Sequence, residues 1–177
     1  MKTVIFKIIL ISEIILLMNF FCGCSPKNKL QSEKEKAEEE AISIIDMIEN
    51  NKREELKSLF TDEAVKTQDF DLGLEYIFNC YSGKYENIKD TGTHIRDLFD
   101  SGKQTKTALA CFDIITDESE FLLYFEYYLK DEINHNTSKL STLMLVPKAD
   151  FNYDNYYNSY YDRIGIYNPE WDLNLQR

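Results

Sequence analysis

The chain is poor in the residues on which most functional motifs are built. It holds six glycines, three prolines, two histidines and one tryptophan in 177 residues. The glycines form no phosphate-cradling loop, which argues against a nucleotide site. His94 and His135 are scattered, with neither zinc-ligand spacing nor a nucleophile–base pairing, and read as surface or hydrogen-bonding residues. No Cys-x-x-Cys pair, Ser-His-Asp order or internal repeat is present, and no cofactor or metal is expected. Positive charge is scarce too: 20 Lys and Arg stand against 31 Asp and Glu, a net charge of −11. Such a surface repels phosphate backbones and anionic headgroups, so nucleic acid and a polybasic membrane contact are excluded as partners.

What is present begins with an address. Lys2 and Lys7 precede an apolar run from Ile8 to Phe21, and a small residue, Gly23, follows. That is the layout of a secretory signal. A retained membrane anchor is the alternative, but the run is short for a span, and Glu13 would cost about 2.5 to 3.5 kcal/mol at a bilayer centre. Phe21-Cys22-Gly23-Cys24 resembles a bacterial lipobox, with Phe21 where leucine is usual and Cys22 where a small residue is usual. The resemblance implies that residues 1–23 are removed and that Cys24 carries acyl chains such as palmitate. Several chains on one residue anchor stably, where one binds only marginally. Loss of Lys2, Lys7 and Glu13 leaves the mature chain one unit more acidic than −11. Cys80 and Cys111 remain. Export permits a disulfide, but buried free thiols are the simpler reading.

Residues 24–32 read as a polar tether and residues 33–177 as one domain. Ser32 and Glu35 match a capping box, and Ala37, Ala41, Ile44, Ile45 and Ile48 recur on one helical face. Asn50-Asn51 should end that helix, and Asn51 with Glu54 should cap a second carrying Leu56, Leu59 and Phe60. A third helix is expected from Asp71, with Leu74, Ile77, Phe78 and Tyr81 on one face, stopping at Gly83. Strand periodicity then takes over, in Tyr85–His94 and Ile95–Phe99, with a turn at Ser101-Gly102. The dominant feature is Thr107–Lys130, two strands joined by Thr116-Asp117-Glu118-Ser119. Phe121, Leu123, Phe125, Tyr127 and Leu129 alternate on one face of the second strand, with Leu122, Tyr124, Glu126 and Tyr128 on the other. A loop at Asp131–Ser138 leads to an apolar strand, Leu140–Val146, closed by Pro147. Helices first and strands afterwards predict an α+β domain with helices on one face of a curved, mainly antiparallel sheet.

The stretches EEAISIIDMIENNKREELKSLF, CFDIITDESEFLLYFEYYLKDE, LSTLMLVPK and IGIYNPEW resemble a family of Gram-positive lipoproteins of unknown function. Members look like the nuclear-transport-factor-2-like superfamily, in which a curved sheet wraps around helices into a cone. The resemblance covers nearly the whole mature chain. Its motifs are structural, and none carries a catalytic assignment. Asp150–Tyr161 departs from it and reads as an insertion.

Candidate chemistry is sparse. Asp113, between Phe112 and Ile114, would share a face with Leu109, Cys111 and Ile115. Inside an apolar cone it could act as a general base, as in the isomerases of that superfamily; a water-facing aspartate is the plainer reading. Glu126 should point away from the helices. Asp150-x-Asn152-x-Asp154 opens like a calcium loop, but Tyr161 stands where the closing glutamate belongs. Tyr153, Tyr156, Tyr157, Tyr160 and Tyr161 suit either a recognition surface or a cover for an open sheet edge, with Tyr124 and Tyr128 as further binding candidates. The reading is an extracytoplasmic, lipid-anchored binding domain rather than an enzyme, its partner an unidentified protein or small ligand. An inhibitor or self-protection lipoprotein meeting another surface protein is one alternative, and an enzyme using Asp113 is the other.

Overall fold

A computed structural model of the protein describes residues 26–151 and 164–167. The chain divides into two compact units, Met1–Ser32 and Glu33–Arg177. In the first, the described residues are helical from Pro26. They begin helix α1, Pro26–Glu49, well before the expected start at Ser32. Proline lacks only an N–H that the first turn leaves unpaired anyway, and Lys, Leu and Gln are good helix formers. Ser32 and Glu35 therefore lie within the helix and not at its cap, and from Pro26 onward the expected tether is helix.

The second unit carries the fold. Along α1, Ala37, Ala41, Ile44, Ile45 and Ile48 are buried, as their spacing predicts. Asn51, at φ 52°, takes the left-handed turn that ends the helix, a conformation asparagine tolerates. The expected Asn51–Glu54 cap is absent: α2, Arg53–Ser58, starts after Lys52 with no side-chain cap. A short helix not anticipated from the sequence follows, α3 at Asp62–Val65, where Thr61 Oγ1 accepts from the Ala64 N–H at 3.2 Å. A fourth helix, α4, spans Phe70–Cys80 and buries Phe70, Gly73, Leu74 and Ile77. Gly83 lies in the turn beyond it, at φ 82°, where a Cβ would sit 2.6 Å from Asp117 Oδ1.

Six strands form one sheet: β1 Tyr85–Asp90, β2 His94–Asp100, β3 Lys103–Thr116, β4 Glu120–Asp131, β5 Leu140–Pro147 and β6 Gly165–Ile166. The order is β1-β3-β4-β5-β6, with β2 also paired to β3, so β1 and β2 share one flank of that long strand. All pairings are antiparallel except β5 with β6. The helices and this open, curved, mainly antiparallel sheet make an α+β fold. The expected strand Tyr85–His94 is broken at Thr91-Gly92-Thr93, because Asp90 Oδ1 accepts from the N–H groups of Gly92 and Thr93, both at 2.9 Å. Such Asx-type bonding competes with a strand ladder.

The central hairpin sets the core. Register places Ala110, Phe125 and Leu143 in one row and Phe112, Leu123 and Leu145 in the next, all fully or almost fully buried against the helices. The Phe112 and Phe125 rings stack at 6.1 Å, and Phe121 stacks on Tyr81 of the helical layer at 5.1 Å. The predicted apolar stripe is fully buried only through Phe125. Beyond it, Lys106 pairs with Lys130 but Thr107 with Tyr128, so Leu129 is an extra residue, and both Tyr127 and Leu129 are only half-buried. Among the described residues no helix is long and apolar enough to cross a membrane.

Candidate functional site

Alternation along β3 decides where Asp113 points. Phe112 and Ile114 face the helices, so Asp113 lies on the opposite face with Leu109, Cys111 and Ile115, a grouping the sequence already implies. Only 9% of it is exposed. Lys148 Nζ lies 2.7 Å from Asp113 Oδ2 and 3.2 Å from Glu120 Oε2. Asp113 is thus on the outer face of the sheet, neither enclosed in an apolar cone, as the general-base alternative requires, nor free in water, as the plainer reading has it. Hydrogen bonds to Asp113 and then Glu120 hold the Lys148 ammonium above its ordinary pKa. The arrangement is a clamp fastening the end of β5 to β3 and β4.

The outer face also carries a hydrogen-bonded group around Glu126. Glu126 points away from the helices, as expected, and accepts from Tyr124 Oη at 3.0 Å, Arg96 Nη2 at 3.4 Å and Ser141 Oγ at 3.4 Å. Tyr124 also joins Leu122, Met144, Val146, Phe151 and Tyr167 in a second small apolar cluster. Tyr128 is half-buried on the same face, and burial pushes its hydroxyl pKa up. Tyr124 and Tyr128 are therefore brought to one surface. Tyr153, Tyr156, Tyr157, Tyr160, Tyr161, Asn152, Asp154 and Cys24 lie outside the described residues. His94 and His135 sit on separate elements, β2 and the loop after β4. Among the described residues, no group of three or more His, Cys, Asp or Glu could hold a metal ion.

Cys80 and Cys111 are free thiols. Burial pushes Cys80 up to about 11, partly offset by a hydrogen bond from Tyr76. Burial raises Cys111 as well. Neither is activated as a nucleophile.

Helices and sheet meet at a recess of about 620 Å³. The C-terminal ends of α1 and α4 and the first residue of β1 form it, with Ile48, Phe78 and Tyr81 as apolar lining and Glu49, Lys84 and Tyr85 at its rim. Glu49 Oε1 accepts from Tyr81 Oη at 2.9 Å and from the Tyr85 N–H. Burial, and then Glu49, raise the Tyr81 pKa, so its hydroxyl remains a donor at neutral pH. Arg53 stands beside the opening, its guanidinium 4.6 Å from the Phe78 ring centroid and its Nε 3.2 Å from Asn51 Oδ1. The Lys84 N–H donates to Asp117 Oδ1 at 2.6 Å, which pins the loop that carries it. None of Glu49, Arg53 and Lys84 stood out in the sequence. The legible signals were the helix stops at Asn50-Asn51 and Gly83, which say nothing about those stops converging.

A second recess, about 470 Å³, lies beside α2 and α3 with Lys57, Lys66 and Lys139 facing Glu54 and Asp62. Lys57 is paired there with Asp71 at 2.8 Å, and Lys139 Nζ donates to the Ser58 carbonyl at 2.5 Å.

Fold and sites together define an α+β domain with a rim recess and no catalytic constellation among its described residues. The chain belongs to the family described as a domain of unknown function (DUF5104), which matches residues 43–148. Those residues run from the middle of α1 to the start of the turn after β5, and so include both the recess and the Asp113–Lys148 clamp. Neither the curated proteins nor the solved structures gave a match to this chain.

Proposed function

We propose that the protein is a lipoprotein held on the outer face of the cell membrane by acyl chains on Cys24, and that its domain binds a ligand without transforming it. In this reading the domain is a nuclear-transport-factor-2-like cone of the Gram-positive lipoprotein type. The order of helices before a curved antiparallel sheet and the lipobox-like Phe21-Cys22-Gly23-Cys24 support it. The observation that carries the binding part is the rim recess. The inner face of the sheet is filled by Phe112, Phe121, Phe125 and Leu143, which leaves a ligand the recesses at the margin, and the rim recess is the larger of the two described above. Asp113 supports an enzyme less well, since its polar partner is a structural lysine and it faces away from that mouth. The test is a photo-crosslinker at Ser82, on the recess rim, in intact cells, with one at exposed Glu86 as control. Adducts specific to position 82 support the reading, and identical adducts at both positions defeat it. Anchoring is read separately: Cys24→Ser should lose palmitate labelling and leave the membrane fraction.

One observation favours recognition of another surface protein instead. Among the described residues β2 is paired only on its β3 side, and its Leu98 and Phe99 are 55% and 72% exposed. An open edge strand with apolar side chains is a template for an added strand. If that surface serves the function, Phe99→Asp abolishes capture of the partner while crosslinking at Ser82 stays empty.

A further inference from the structure

The rim recess carries charges that its surroundings position but do not neutralise. Glu49 is fixed through Oε1 by two neutral donors, Tyr81 Oη and the Tyr85 N–H, and no ion pair involves it among the described residues. Arg53 is fixed by the Phe78 ring and Asn51 Oδ1, again without a carboxylate partner. Lys84, on a loop pinned through its own N–H to Asp117, forms no ion pair either. Elsewhere many charged side chains do find opposites, such as Lys106 with Glu33 at 2.5 Å and Lys52 with Asp46 at 2.9 Å. Here one anion, Glu49, and one cation, Lys84, line a single opening, Arg53 stands against its Phe78 and Asn51 walls, and none of the three is paired with another. Between them lies an apolar floor of Ile48, Phe78 and Tyr81.

Resting on the binding reading above, we infer that the recess takes a small zwitterion, an apolar α-amino acid or a short peptide ending in one. Its ammonium would meet Glu49, its carboxylate would meet Arg53 and Lys84, and its side chain would lie on Phe78 and Tyr81. The chemistry follows from the charges. A simple cation would face Arg53 and Lys84 unrelieved, and a simple anion would face Glu49. A zwitterion satisfies both signs at once, with charge-assisted hydrogen bonds on each side. Two long helices also end here, and their C-terminal dipoles favour the ammonium on the Glu49 side. A volume of about 620 Å³ suits either an amino acid or a dipeptide.

The test is calorimetric titration of the full chain with L-phenylalanine and with the dipeptide Ala-Phe, which separates the two sources of the same chemistry. N-acetyl-L-phenylalanine, which lacks the ammonium, and L-phenylalaninamide, which lacks the carboxylate, are the controls. Saturable one-to-one binding of at least one zwitterion is expected, with its blocked analogue at least about tenfold weaker. Lys84→Met should erase the preference for acid over amide, and Glu49→Gln the preference for free over acetylated amine. Because Glu49 also holds Tyr81 and Tyr85, Arg53→Met and Lys84→Met carry the test if Glu49→Gln fails to fold. Equal binding of blocked and free forms, or no saturable binding by either zwitterion, overturns the inference. Adducts at Ser82 in cells would still stand in that case, so the two failures are distinguishable.

Discussion

Lys148 Nζ sits 2.7 Å from Asp113 Oδ2 on the sheet face that turns away from the helices. This ion pair joins the turn after β5 to the C-terminal part of β3, and Glu120 at 3.2 Å completes it. Lys148→Met should lower the melting temperature while leaving ligand binding at the rim unchanged. The lysine's folded pKa is raised, so its contribution is fully present below the unfolded value near 10.5 and fades as pH climbs through the folded value. Melting curves of wild type and variant between pH 7 and pH 11 should therefore converge at the alkaline end.

Asp131 behaves in the opposite sense. Burial opposes its charge, but the N–H groups of Asn134, Ile133 and Asn136 outweigh burial and hold the carboxyl below its ordinary range. Its stabilisation is present above the unfolded value near 3.8 and is lost as pH falls through the folded pKa. Asp131→Asn should cost stability at neutral pH and progressively less in acid. Thermal melts in a pH series from 7 down to 2 check this, and a penalty that stays constant would refute it.

Gly73 is a packing requirement, not a flexible point. A Cβ there would meet the Ile166 carbonyl oxygen at 2.6 Å, where α4 backs onto β6. Gly73→Ala gains about 1 kcal/mol of helix propensity yet should destabilise, because α4 and β6 must separate. The Tyr167 N–H, which donates to the Leu143 carbonyl at 2.9 Å, should then exchange faster with deuterium.

The buried thiols give a chemical readout. With Cys80 pushed up to about 11, alkylation by iodoacetamide at pH 7.5 should be slow at Cys80 and Cys111 in the native protein. Both should react once urea unfolds the domain. Peptide mass mapping before and after unfolding reads each site separately.

Much of the fold was legible because it rests on local periodicity. The spacing of Ala37, Ala41, Ile44, Ile45 and Ile48 marked the buried face of α1, and strict alternation from Phe121 to Phe125 marked the inner face of β4. Three local features departed from that periodicity. Pro26 opened a helix that Ser32 was expected to cap, Asp90 broke a strand that looked continuous, and the buried stripe ended at Phe125, ahead of a bulge at Leu129. The break at Asp90 and the bulge depend on a hydrogen bond and a pairing register that residue type does not reveal.

By itself the sequence determined composition, charge sign, the α+β layering and the grouping of Asp113 with Leu109, Cys111 and Ile115 on one strand face, since strand alternation admits only two sides; which side that is came from the packing of the helices. Tertiary structure alone decided which charges meet. Lys148 reaches Asp113 because β5 lies beside β4, and Glu49 and Lys84 line one recess, with Arg53 against its Phe78 wall, because two helix ends converge on the start of β1. Periodicity describes how a side chain faces its own element, whereas a site arises from how elements far apart in the chain are placed against one another.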